Sequence, residues 1–134
     1  MKYVLDTHVW FWALTDPAKI PARVRKALED PKNAPHGLSA ISVWELAKLV
    51  QKGRIRLTIP LSDWIAKALD PAWIEVIPLS PQICVDSTNL PGGFHSDPAD
   101  ELIVASARSA GATLVTADRH LRNYPSVRSE WSQT

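Results

Sequence analysis

Residues 2–14 read KYVLDTHVWFWAL: a short apolar strand over Lys2–Asp6 that ends on an acid, then a helix over Thr7–Leu14 carrying Val9, Trp10, Phe11 and Trp12. An acid immediately after Tyr3-Val4-Leu5 falls where the chain is entering a core. A carboxylate in that position needs a partner or a ligand. Asp16-Pro17 stops the helix. Working outward, the same strand-to-helix alternation recurs. Pro21–Glu29 forms a helix with Val24 and Leu28 four apart, and Pro31–Pro35 a loop. Gly37–Ile41 is a second strand, and Ser42–Lys52 a helix with Val43, Leu46, Ala47 and Val50 at core spacing, closed by Gly53. Ser62 or Asp63 caps a helix through Trp64, Ile65, Ala68 and Leu69. Trp73–Leu79 is a third strand and Pro81–Asn89 a short helix.

After a Gly/Pro loop over Leu90–Ser96, Asp97-Pro98 opens a helix that runs to Ala110 and ends at Gly111. Ala112–Thr116 is a fourth strand leading to Ala117-Asp118, and a fifth follows near Val127. Repeats, low-complexity stretches and linkers are absent from the sequence. The pattern predicts one α/β domain over residues 1–134: a three-layer α/β/α sandwich around a central, mostly parallel sheet.

Composition narrows the class. The 134 residues are 46% hydrophobic and 22% charged, which is ordinary for a globular chain and excludes wholesale disorder. Apolar runs stay far short of the roughly 18 residues of a membrane span, and the start of the chain is not that of a signal peptide. The single Cys84 forms no internal disulfide, which suits a reducing cytoplasm; on an apolar helix it reads as a small buried hydrophobe. The formal net charge of +1 conceals an asymmetry. Lys19–Lys67 holds ten basic and four acidic residues, whereas Ala68–Ala107 holds six acids and no Lys or Arg. Such polarity suggests a basic surface that gathers something anionic beside an acidic centre that processes it with cations; uneven charge on solvated faces is the plainer alternative and, for the asymmetry alone, the preferred one.

In an open parallel sheet, ligands bind beyond the carboxyl ends of the strands, where strand order reverses. Four acids map there: Asp6 after the first strand, Glu45 in the first turn of the helix after the second, Asp100 in the first turn of the helix feeding the fourth, and Asp118 after the fourth. Clustered carboxylates repel unless cations bridge them, and Mg²⁺ or Mn²⁺ prefers such oxygen donors. A site of this kind activates water against a phosphodiester. Each acid also has a plain structural role open to it. Ser42-x-x-Glu45 matches a capping box, Asp97 a helix cap, Asp100 an N3 acid, and Asp118 the start of a turn before His120. Asp100 and Glu101 are about 100° apart on their helix, so only one faces the sheet edge.

Val4-Leu5-Asp6-Thr7-His8-Val9-Trp10, Ser39-Ala40-Ile41-Ser42-Val43-Trp44-Glu45, His95-Ser96-Asp97-Pro98-Ala99-Asp100 and Leu114-Val115-Thr116-Ala117-Asp118 resemble, in this order, the PIN-domain ribonucleases, and within them the VapC toxins of type II toxin–antitoxin systems. The resemblance spans nearly the whole chain. It implies a Mg²⁺- or Mn²⁺-dependent endoribonuclease that cuts a structured RNA such as tRNA, homodimerises and is inhibited by a cognate antitoxin in a toxin–antitoxin hetero-oligomer. By position, Asp6, Glu45, Asp100 and Asp118 are the implied catalytic acids, with Asp6, Asp100 and Asp118 on the metal. Thr116 and Thr7 support them, and Asp97 and Glu101 are possible additions. Glu101 stands where the family pattern has Arg, which removes a phosphate or carboxylate contact.

Lys48, Lys52, Arg54 and Arg56 are the candidate RNA-backbone path, although Lys48 is also spaced to pair with Glu45. Arg23, Arg25 and Lys26 form a second basic patch. Trp12, Leu49 and Val50 would line a groove for an antitoxin peptide, with core packing the expected role of any single Trp, including Trp10 and Trp44. His8 either touches substrate or makes a local hydrogen bond; His36 and His95 are too isolated to suggest metal ligation. Two rival readings remain at this level: an aspartyl-phosphate receiver or phosphatase, weakened by Thr7-His8-Val9 after Asp6, and a non-catalytic module that keeps the fold for binding.

Overall fold

Five strands, all parallel, form one sheet in the order β3-β2-β1-β4-β5 in a computed structural model that describes residues 1–132. In chain order the elements are β1 (Tyr3–Leu5), α1 (Thr7–Thr15), α2 (Ala22–Glu29), β2 (His36–Ser39), α3 (Ala40–Gln51), α4 (Leu61–Ala68), β3 (Ile74–Ile77), α5 (Pro81–Ser87), α6 (Pro98–Ala110), β4 (Thr113–Val115), α7 (Arg119–Arg122) and β5 (Ser129–Glu130). The chain winds from β1 outward through β2 to β3, then returns to the other side of β1 for β4 and β5. The reversal therefore lies between β1 and β4, and Asp6 and Asp118 are the acids that follow those two strands.

Central strands in such a sheet are buried on both faces, so their side chains alternate between two cores. Tyr3, Leu5 and Val115 join Trp10, Leu38 and Leu46 on one face. Val4 and Leu114 join Ile103, Leu121 and Tyr124 on the other. Helices α1, α2 and α4 with most of α3 cover the first face, and α5, α6 and α7 the second. Together they make the expected three-layer sandwich.

The long helix α6 is bounded as its sequence dictates. Asp97 caps it by accepting from Asp100 N at 2.9 Å, Pro98 occupies the first position, and Gly111 ends it at φ 62°. That left-handed turn lets the amides of the chain end meet the last carbonyls without a Cβ penalty.

Several expectations are revised. Helix α3 begins at Ala40, with Ser39 as its cap, so Ser42 lies inside the helix and Ser42-x-x-Glu45 is not a capping box. Glu45 consequently sits in the second turn, not the first. The register explains this: β2 pairs with β3 only as far as Ser39 opposite Ile77, leaving Ala40-Ile41 free to start the helix. Helix α4 has Pro60 at its cap position and no side-chain cap, so neither Ser62 nor Asp63 serves. Cys84 is exposed, because Ile83 and Ser87, four apart, take the buried face of α5. Strand β5 does follow near Val127, over Ser129–Glu130, and Val127 itself packs into the second core. Trp44, 55% exposed, stays out of the core that holds Trp10.

Candidate active site

Thr7 and Thr116 are the buried hydroxyls that organise the carboxyl edge of the sheet. Asp6 is the N-cap of α1, its Oδ1 accepting from Thr7 N at 2.8 Å and its Oδ2 accepting from Thr116 Oγ1 at 2.7 Å. Its own backbone N–H donates to Val115 O at 3.0 Å, which locks the end of β1 to the end of β4. Thr116 Oγ1 in turn accepts from Asp118 N at 3.1 Å. One threonine thus joins two acids that are 112 residues apart in sequence. Thr7 Oγ1 donates to Glu45 Oε1 and lies 2.8 Å from Ser42 Oγ. Placing Ser42 inside α3 is what permits that chain of hydroxyls, and it brings Glu45 to Asp6.

Asp6, Glu45, Asp97, Asp100 and Asp118 line one pocket of about 410 Å³, with His8, Trp12 and Ala117 completing its wall. Asp97 does both of the jobs considered for it: it caps α6 and borders the pocket. Asp100 Oδ2 accepts from Ser96 Oγ at 2.8 Å. Glu101 turns aside, accepting from Ser96 N at 3.4 Å, and does not line the pocket. Between adjacent helical positions about 100° apart, it is Asp100 that faces the sheet edge.

Crowding and burial show in the protonation of these groups. Burial raises the carboxyl of Asp6 above its ordinary value despite the hydrogen bonds from Thr116 and Thr7. Burial likewise raises Glu45, against the opposing bond from Thr7. Asp100 is pushed up to about 7, by burial first and then by the negative charges of Asp97, Asp6 and Asp118. Carboxylates so placed ionise together only if cations compensate them. Among the described residues no group of three or more His, Cys, Asp or Glu side chains is arranged to hold a metal ion without further ligands. Mg²⁺ does not require one, since it keeps several waters and binds through one or two carboxylates plus substrate phosphate. An all-oxygen set of partly buried acids around an open pocket fits that ion class.

A clamp that sequence reasoning missed holds the loop before α6. Phe94 stacks on His120 at 4.7 Å and packs on Tyr124 at 4.3 Å. His120 Nε2 bonds His95 O at 2.7 Å, Tyr124 Oη donates to Pro91 O at 2.6 Å, and His120 N donates to Asp118 Oδ1 at 2.8 Å. The segment that carries Ser96 and Asp97 is thereby tied to the segment that carries Asp118. Two rings close to two of the acids, Phe94 and His120, were the available signal.

The proposed RNA contacts lie outside the pocket. Lys48 does not pair with Glu45; its Nζ donates to Gln51 Oε1 at 3.0 Å and sits 5.8 Å from the Trp44 ring centre. Lys52, Arg54 and Arg56 are exposed and make no ion pair among the described residues. The second basic patch is partly spent on structure: Arg23 pairs with Glu130 at 3.4 Å, and Arg25 donates to the carbonyls of Pro17 and Ile20. Trp12 meets Trp131, His8 and the acidic pocket, and Leu49 and Val50 do not line that pocket. His36 is a buried core histidine whose Nε2 bonds Leu28 O.

The family model described as PIN domain matches residues 3–127. Ribonuclease VapC22 of Mycobacterium tuberculosis (strain ATCC 25618 / H37Rv) is 34% identical over 121 residues, covering 90% of each chain. Among solved structures, DNA-bound VapBC from Salmonella typhimurium superposes with a TM-score of 0.70 at 20% identity over 97% of both chains. VapBC-1 from nontypeable Haemophilus influenzae gives 0.68 at 20% identity, again over 97% of both. At those identities the likeness is one of fold. With a family model matched over residues 3–127, a five-strand parallel sheet and a ribonuclease relative matched along nine-tenths of its length, the chain belongs to the PIN-domain family, in its VapC branch.

Proposed function

We propose that the protein is a divalent-metal-dependent endoribonuclease that acts as the toxin of a toxin–antitoxin pair in the cytoplasm. The observation that carries this reading is the convergence of Asp6, Glu45, Asp97, Asp100 and Asp118 on one pocket at the strand-order reversal. The VapC22 relative, named a ribonuclease, supports the reaction class, and the VapBC folds support a partner protein. A homodimer, alone or within a complex with an antitoxin, is the assembly we expect.

In this mechanism Asp6, Asp100 and Asp118 are the carboxylates that would hold Mg²⁺ or Mn²⁺ together with water and substrate oxygens, and Glu45 would orient the attacking water. When bound there, such an ion would supply positive charge and an acidic water near neutral pH. The chain's own work is placement. Thr116 fixes the direction of the Asp6 carboxylate while anchoring the turn of Asp118. Thr7 fixes Glu45 and caps against Asp6 through its amide. Ser96 holds Asp100 toward the same pocket. Lys48, Lys52, Arg54 and Arg56 supply phosphate contacts that set affinity and make it salt-dependent without reading sequence. A structured RNA such as tRNA is the proposed substrate.

Protein freed of any partner is the material for the test. It should cleave RNA with Mg²⁺ or Mn²⁺, stop in chelator, and lose about 100-fold or more in rate on Glu45→Gln. Full cleavage in chelator, or by Glu45→Gln, refutes the reading.

A further inference from the structure

We propose that Trp12 and His8 form a base-stacking shelf in the acidic pocket, taking the nucleobase next to the scissile phosphodiester. The inference rests on the ribonuclease reading and adds how the substrate is held: single-stranded at the cut, with one base unstacked onto protein.

The pocket is two-sided. Carboxylates line most of it, and Trp12 is its large aromatic wall, with the His8 ring 5.7 Å away at 52° to it. Trp12 is only partly buried, unlike Trp10, two residues earlier and about 200° round the helix, which is wholly enclosed. It is nevertheless held in place. Trp131 packs against it at 6.1 Å and Lys19 Nζ sits 5.6 Å from its ring centre. His8 is exposed and directly follows the Asp6-Thr7 pair.

An aromatic wall adds nothing to the holding of a cation by carboxylates. A nucleotide, by contrast, presents both halves of this pocket with what they suit: a phosphate for a metal held by acids, and a flat π-face for an indole beside an imidazole. Stacking of this kind tolerates any base and is strong per residue. The Lys19 ammonium beside the shelf adds a cation where the strand's next phosphate would run. The shelf thus predicts weak base preference at that position together with a strict need for some base. Duplex RNA, whose bases are stacked on each other, is accordingly a poor substrate at the cut itself.

The test pairs a change in the protein with a change in the RNA. Wild-type protein with Mn²⁺ is first used to map a cleavage site in a transcribed tRNA. Synthetic RNAs are then made with an abasic nucleotide on either side of that site. In wild type, one of the two replacements should lower kcat/KM by about 10-fold or more. Trp12→Leu, which keeps apolar volume without a π-face, should lower cleavage of intact RNA by a similar factor and be nearly indifferent to the abasic change. Trp12→Phe should retain most of the sensitivity. His8→Ala removes only an exposed ring and supplies the same comparison should Trp12→Leu fail to fold. Abasic penalties of equal size in wild type, Trp12→Leu and His8→Ala, or no penalty at either position, overturn the shelf alone. Equal penalties accompanied by weakened inhibition by an antitoxin would give this wall to the partner protein, which also overturns it. No cleavage of any RNA by wild type overturns the ribonuclease reading and the shelf with it.

Discussion

Neutralising Asp100 should abolish activity and yet stabilise the metal-free protein, and the size of that gain follows from its surroundings. Its carboxyl is pushed from an ordinary 3.8 up to about 7, by burial first and by the nearby charges of Asp97, Asp6 and Asp118 second. An acid whose value is raised by folding favours the native state only while it is protonated. Its contribution is complete below pH 4 and is lost as the pH climbs through 7. At pH 8 the folded chain therefore bears the whole cost of ionising it. For a fully shielded group that cost would be about 4 kcal/mol. Asp100 is half-buried, so screening by solvent brings it to about 1–2 kcal/mol. Asp100→Asn keeps an oxygen to accept from Ser96 and removes the charge. In chelator at pH 8 its Tm should exceed that of wild type by about 3–8 °C. The gap should close as the pH falls toward 4, where wild-type Asp100 is itself neutral. Mg²⁺ should raise the wild-type Tm more than that of the variant. Thermal melts by circular dichroism at the two pH values decide it. A variant that melts at or below wild type at pH 8, or that gains equally at both pH values, would refute the account of crowded, cation-dependent carboxylates.

Thr116→Val removes the hydroxyl that holds Asp6 and receives Asp118 N, so the Mn²⁺ concentration for half-maximal cleavage should rise about 10–100-fold. Thr116→Ser should restore it, and a titration of rate against Mn²⁺ reads both. His120→Ala releases the stack on Phe94 and the bond to His95 O, and hydrogen exchange of residues 91–96 should accelerate while the sheet amides stay protected. Unchanged exchange in that loop would show the clamp to be incidental.

Much of this was legible because the main elements carry local punctuation. Asp97-Pro98 and Gly111 bracket α6 with a cap, a helix-starting proline and a left-handed stop, and all three behave as their chemistry dictates. The acid after Tyr3-Val4-Leu5 marked the site, since a carboxylate leaving a core strand must be accounted for. Failures came where local pattern is ambiguous or the cause is remote. Ala40-Ile41 suits a strand or a helix equally, and only the pairing limit of β2 with β3 decides the matter. That misplaced boundary turned Ser42 into a cap and concealed its position beside Thr7. Cys84 sits on a short helix where one residue of rotation separates core from solvent. The Phe94–His120–Tyr124 clamp joins groups about 26 to 33 residues apart through side-chain packing, which no spacing rule encodes.

The central claim is that Asp6, bound to Thr116 and facing the other acids, is a metal-holding carboxylate of a ribonuclease. Its most direct test is cleavage of total RNA in Mn²⁺ by wild type and by Asp6→Asn, each freed of partner and shown to be folded. Wild type should give discrete RNA fragments and Asp6→Asn none under identical conditions. Equal cleavage by the two would contradict a metal-holding role for Asp6.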